Sequence, residues 1–190
     1  MKAPNIRIIS LIVLAIIQLG FGGYIVTQYE QVKDKGEEFK FRIQPVDPHD
    51  PFRGKYINLR FADDDYSTNG TSQYQRRDMV YAEIIKDKEG FAKIGSLNAS
   101  QSQGIPSVHV EINRVFSAGK GRSRITVKFP FSRYYMGEDE AEKAEKAVRS
   151  IATNNSNDVY AIVSIYNGKT VLKDVMVGDI PLQEWIRQHP

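Results

Sequence analysis

VYAIVSIYNGKTVLKDVMV, residues 159–177, is the stretch that decides the fold. Two apolar runs rich in β-branched residues flank Asn167-Gly168. Asn and Gly both tolerate positive φ, so the pair closes a two-residue turn whose twist matches the flanking strands. The stretch predicts a β-hairpin, with 159–166 paired to 169–177. A lone hairpin is marginal in water, so it must join further strands.

Those strands are legible upstream. Phe39, Phe41 and Ile43 alternate with Lys40, Arg42 and Gln44. Ile57, Leu59 and Phe61 alternate with Tyr56, Asn58 and Arg60. Val108, Val110 and Ile112 alternate with His109, Glu111 and Asn113, and Ile125, Val127 and Phe129 with Thr126 and Lys128. A period of two marks a strand with one face buried. Segments 79–85 and 91–97 form a further pair across a polar turn, and Gly119-Lys120-Gly121 reads as another hairpin turn. The polar stretches 63–75 and 98–106 read as loops. One helix is expected from Glu138 to about Thr153, with Ala141, Ala144, Val148 and Ile151 as its apolar stripe. A short second helix follows Pro181 and buries Leu182, Trp185 and Ile186. The resulting class is α+β: a mainly antiparallel, barrel-like β domain with one crossover helix.

Ahead of this domain lies IISLIVLAIIQLGFGGYIV, residues 8–26, which carries no charge. Extended to Tyr29 it gives 22 uncharged residues. About 20 suffice for a helix to cross the hydrocarbon core of a bilayer. Lys2 and Arg7 precede the run, while Glu30, Lys33, Asp34, Lys35, Glu37 and Glu38 follow it. Positive charge stays in the cytoplasm, so the N-terminus is expected inside and the domain outside. A cleavable signal peptide is the alternative, with small residues at Gly20-Phe21-Gly22. Against it, the apolar stretch continues through Tyr24-Ile25-Val26. The expected organisation is an anchor over 1–29 (a signal-anchor touching the bilayer through 8–29), a charged juxtamembrane spacer over 30–38, and an exported domain over 39–190.

Composition removes several function classes. There is no cysteine, which excludes disulfide frameworks, Cys-based zinc sites and thiol nucleophiles. Of 26 basic and 23 acidic residues, only Lys2 and Arg7 lie before residue 30. The domain is therefore almost charge-balanced, with both signs interspersed. A nucleic-acid binder concentrates its basic residues on one face, so nucleic acid is not an expected partner. About 160 residues bury a sufficient core without a metal or disulfide, and no cofactor is called for.

PVDPHDPFRGKYINLRF, residues 45–61, holds the most specific pattern. Its three prolines fix φ and bias Gln44, Asp47 and Asp50 to extended geometry. Gly54 permits a tight bend into the strand that begins at Tyr56. Two readings stand side by side. Arg53 pairs internally with Asp47 or Asp50 at a structural corner, or the stiff loop forms a rim for a partner or ligand.

This combination of residues resembles the GDYXXLXY family of bacterial membrane-associated proteins, named for that motif. Gly54, Tyr56 and Leu59 match, preceded by Pro45-Val46-Asp47-Pro48, Asp50-Pro51 and Arg53. Lys55 stands where the family name has Asp, a charge reversal, and Phe61 where it has Tyr. The resemblance implies a bacterial source and a cell-envelope location, at the inner or cytoplasmic membrane. It implies no reaction. It also implies an accessory role beside a polytopic membrane protein, which would be the partner.

The candidate binding residues are Asp47, Asp50, Arg53, Gly54, Tyr56, Tyr134, Tyr135 and Glu138. Tyr134, Tyr135 and Glu138 come from the aromatic stretch at 129–135 and the start of the helix. Together with Arg53 and Tyr56 they would give aromatic walls and a few convergent polar groups, as ligand sites do. The alternative assigns those aromatics to core and strand edge. A hydrolytic or ligand-binding domain using the 47–56 rim is the second functional reading. Asp47, His49, Asp50 and Asp63-Asp64-Asp65 supply oxygen ligands but lack the spacing of a calcium loop, so no metal site is assigned. No catalytic residue is assigned either. The three histidines, His49, His109 and His189, are scattered, and no Gly-x-Ser-x-Gly elbow occurs.

Overall fold

A computed structural model describes residues 6–44, 56–69, 73–117, 121–154 and 159–189. It opens with α1 (Ile6–Lys35), an unbroken helix of 30 residues, about 45 Å long at 1.5 Å per residue. This is a helix long and apolar enough to cross a membrane, and none of its apolar stretch is covered by the rest of the chain. Among the described residues twelve strands and two further helices follow: β1 (Glu37–Gln44), β2 (Tyr56–Asn58), β3 (Arg60–Phe61), β4 (Asp65–Asn69), β5 (Met79–Lys86), β6 (Ala92–Asn98), β7 (Ser107–Ser117), β8 (Arg122–Lys128), β9 (Arg133–Tyr135), α2 (Glu138–Asn154), β10 (Val159–Tyr166), β11 (Lys169–Val177), β12 (Ile180–Pro181) and α3 (Leu182–Gln188).

The hairpin expected at 159–177 is β10–β11, antiparallel from the Tyr166–Lys169 pair outward. Asn167 and Gly168 have φ of 48° and 75°, the double positive φ of a type I′ turn. β10 is buried at nearly every position because it is central in its sheet, ordered β12-β11-β10-β1-β3. A second antiparallel sheet runs β4-β8-β7-β5-β6. It curls until its edge strands β4 and β6 meet, a nearly closed barrel. The fold is α+β, as the sequence predicts.

Between the sheets lies one continuous core. Phe41, Phe61, Phe129 and Phe131 form its centre, with ring centroids 5.0–5.7 Å apart. Most of these pairs are edge-to-face, the arrangement the ring quadrupole favours. Arg42 joins the two sheets from β1. Its guanidinium contacts Asp63 at 3.1 Å, Asp87 at 2.7 Å and Glu89 at 2.7 Å, and lies 4.0 Å above the Phe91 ring. α2 crosses from β9 to β10 and buries Ala141, Ala144, Val148 and Ala152. That is the expected stripe with Ala152 at its end, Ile151 being only partly buried against the core.

Two stretches take a form that the sequence did not announce. The spacer at 30–38 is taken up by the last turn of α1, Gly36 and the first residues of β1. Helix formation continues past the apolar run because Val32 has a buried place on the sheet. The 63–75 stretch is not loop throughout: β4 pairs with β8 over 65–69. β4 is a largely polar edge strand that puts only Tyr66 against the core, so it lacks the apolar alternation that would announce it. The 129–135 stretch follows its reading as core and strand edge, with Phe129 and Phe131 entering the core and 133–135 forming β9 against β2.

Candidate functional site

β2 and β9 form a two-stranded ribbon, in register Tyr56↔Tyr135, Ile57↔Tyr134 and Asn58↔Arg133. Strand alternation sends Ile57 into the core and leaves Tyr56 at the surface. There the Tyr56 ring meets Tyr135 at 5.6 Å between centroids, and the Arg133 guanidinium lies 5.1 Å from its centre. Leu59 and Phe61 are buried, and the Leu59 amide donates to the Ser132 carbonyl at 2.8 Å. Of the motif positions Tyr56, Leu59 and Phe61, two are thus core residues and Tyr56 reaches solvent.

β9 faces β11 across an open groove of about 960 Å³. Its walls are 128–135 on one side and Thr170, Leu172, Lys173 and Asp174 on the other. Tyr29 and Gln183 complete the lining. Tyr135 is 64% exposed at the rim. The Tyr134 hydroxyl donates to Asp174 Oδ1 at 2.8 Å, linking the two walls. Burial and then the neighbouring Asp174 carboxylate push the Tyr134 hydroxyl well above the ordinary tyrosine range, so it stays a donor. The same Oδ1 accepts from the Val175 amide at 2.8 Å.

Lys173 and Asp174 reach this position through a β-bulge. Ile162 pairs with Asp174 and Val163 with Leu172, which leaves Lys173 as the extra residue. A bulge re-aims side chains in this way. Lys173 forms an ion pair with Glu38 at 2.6 Å. The clue in the sequence was Lys173-Asp174, two adjacent polar residues that break the apolar alternation of the strand.

The groove adjoins the last turns of α1, which pack on β10 and β11. Val32 is buried, its carbonyl accepts from the buried Ser164 hydroxyl at 2.6 Å, and Lys169 Nζ donates to Gln28 Oε1 at 2.6 Å. The helix end is therefore seated on the hairpin, and Tyr29 belongs to both the bilayer-length run and the groove.

Of the sequence-named candidates, the structure brings Tyr56, Tyr134 and Tyr135 to one ribbon. Asp47, Asp50, Arg53 and Gly54 lie outside the described residues, as does the side chain of Glu138. Arg133 lies over the Tyr56 ring, and Asp174 supplies a carboxylate to Tyr134. Neither was legible as a site residue, because their meeting depends on the fold bringing β9 to β11. The other described candidates have partners of their own. His109 stacks on Tyr81 and His189 on Trp185. Asp63 pairs with Arg42 and Asp65 with Arg124.

No curated protein and no solved structure is detectably similar to this chain. The pattern of the GDYXXLXY protein family matches residues 18–175, which run from the middle of α1 to Val175 in β11 and take in the motif, the ribbon and most of the groove. On a match that covers most of its length, the chain belongs to the GDYXXLXY family.

Proposed function

We propose that this protein is a single-pass, membrane-anchored interaction module that docks a polytopic membrane protein through the β9–β11 groove. The observation that carries this reading is the seating of α1 on β10–β11. With Val32 buried and Ser164 bonded to its carbonyl, anchor and domain are held together. Tyr29 sits at the end of a bilayer-length apolar run, so the groove it lines stays at the height of the membrane surface.

The lining supports a protein partner. Exposed tyrosine together with arginine at a concave surface is the composition of binding hot spots. Tyr56, Tyr135 and Arg133 are grouped in this way. In this reading Asp47, Asp50, Arg53, Gly54 and Glu138 join Tyr56, Tyr134 and Tyr135 in the docking rim. The charges flanking α1 support an extracytoplasmic domain in a cell envelope.

The test is photo-crosslinking in native membranes, with a photoreactive residue at Tyr135 or, as control, at exposed Met79 on β5. The expected result is an adduct with one integral membrane protein from position 135 alone. No adduct, or the same adducts from both positions, overturns the reading.

A further inference from the structure

The groove exposes main chain as well as side chains. β10 ladders with β11 along its length, whereas β12 covers only Met176 and Val177 on the other edge. In a two-residue hairpin the residues flanking the turn are a hydrogen-bonded pair, and successive residues then point their N–H and C=O alternately toward and away from the partner strand. Tyr166 and Lys169 are that flanking pair. Lys169 and Val171 therefore face β10, and the main-chain groups of Thr170 and Leu172 point to the open edge. Both residues line the groove. Farther along, the edge is already occupied, because the Asp174 carboxylate takes the Val175 amide and the Tyr134 hydroxyl. Among the described residues no main-chain partner meets Thr170 or Leu172 on this side, so the open main chain is confined to the part of β11 nearest α1. Unpaired N–H and C=O groups on a strand edge are a template for another strand.

We infer that an extended, acidic segment of the membrane partner adds as a strand to β11 at Thr170–Leu172, inside the groove. This rests on the groove being the docking site and names how it recognises its partner. The charges select the occupant. Lys128, Arg133 and Lys173 line the groove, against Asp174 as its acid; Lys173 is paired with Glu38 and Asp174 accepts from Tyr134, which leaves Lys128 and Arg133 as the cations that select the occupant. Among the described residues Lys128 and Arg133 have no carboxylate partner. A second copy of this chain fits poorly. Antiparallel pairing of two β11 edges about Val171 sets Lys169 of each copy opposite Lys173 of the other, and like charges directly across strands repel. Main-chain bonds supply the affinity of such strand addition, and alternate side chains its specificity.

The experiment uses the full chain in lipid nanodiscs and short, capped, fluorescent peptides alternating valine with glutamate or valine with lysine. Two further glutamate peptides are N-methylated, each on one alternate set of amides. A strand added by one edge needs only one set of its amides. The glutamate peptide is expected to bind in an anisotropy titration. The lysine peptide and one of the two methylated peptides should bind at least about ten-fold more weakly, and the other methylated peptide should keep its affinity. Hydrogen exchange at the Thr170 and Leu172 amides should be fast in the free protein and slow on binding, with Val171 unchanged. Replacing Lys128 and Arg133 together by Ala should abolish the preference for glutamate. Equal affinity of the two methylated peptides overturns strand addition and leaves the groove reading standing. Equal affinity of the glutamate and lysine peptides overturns the acidic class, and no binding at millimolar peptide overturns the inference as a whole.

Discussion

Asp64 sits among three consecutive acids and, among the described residues, makes no ion pair of its own, although the charge of Arg60 acts on it from a distance. Arg42 draws off Asp63 and Arg124 draws off Asp65. Burial, followed by the charge on Asp65, raises the Asp64 carboxyl to about 6 from an ordinary value of 3.8. The native state therefore holds this proton more tightly than the unfolded chain does. Below about pH 3.8 both states are protonated and nothing is lost; as pH rises to about 6 the unfolded state gains and native stability falls. The shift corresponds to about 3 kcal/mol. Solvent screening at a half-exposed carboxyl reduces that to about 1–2 kcal/mol. Asp64→Asn is expected to stabilise the protein by that amount at pH 7 and by almost nothing at pH 3.5, read as urea midpoints of the full chain in non-ionic micelles. Arg42 is the opposite case. Its side chain is 11% exposed, and burial opposes its charge, but hydrogen bonds to Asp87, Glu89 and Asp63 outweigh that and raise its pKa. A lysine provides a single point charge where a planar fork serves three carboxylates and stacks on Phe91. Arg42→Lys is expected to cost about 2–3 kcal/mol in the same titration, since it leaves carboxylates partly unpaired between the sheets. Arg42 read from the sequence only as an outward residue of an alternating strand. Its role needs three acids from 63–89 brought to β1, which no local pattern encodes.

Two elements meet at Gly36, the one residue between α1 and β1. A Cβ there would collide with the Ser164 hydroxyl and the Val32 carbonyl, and would lie 3.1 Å from the Ile165 amide nitrogen. The glycine is required by close approach of the helix end to β10 rather than by φ. Gly36→Val should force the helix off the strand. The expected cost is about 1–3 kcal/mol, seen as a lower urea midpoint and as faster hydrogen exchange at Ser164 and Ile165. The same junction explains why a juxtamembrane spacer was expected: EQVKDKGEE is charged and contains a glycine. Charge here marks the solvent side of a helix whose other side carries Val32. β10 and β11 were readable to the residue because their turn chemistry and their periodicity are both local. β4 and β9 were not, since DYSTN and RYY carry no periodic signal. They become strands only because β8 and β2 offer them main-chain partners.

At the scale of the whole molecule, α1 connects an apolar run of bilayer length to the groove. Lys2 and Arg7 lie on one side of the apolar run and a mixed-charge segment on the other. An epitope placed after residue 190 is therefore expected to be cleaved by protease added to right-side-out membrane vesicles and protected in inside-out ones. The reverse pattern would invert the proposed topology. The long apolar helix, the hairpin, most strands, the crossover helix and the short helix after Pro181 follow from the sequence by itself. Each is set by residues adjacent in the chain: an uncharged run of bilayer length, alternation of period two, a stripe of period 3.6, an Asn-Gly turn. The groove, its Tyr134–Asp174 link, the open edge at Thr170–Leu172 and the seating of the helix end on Ser164 were decided only by the tertiary structure. They join residues 40 and 132 positions apart, and such meetings depend on how the sheets pair and curl, which is settled by long-range packing and not by any local preference.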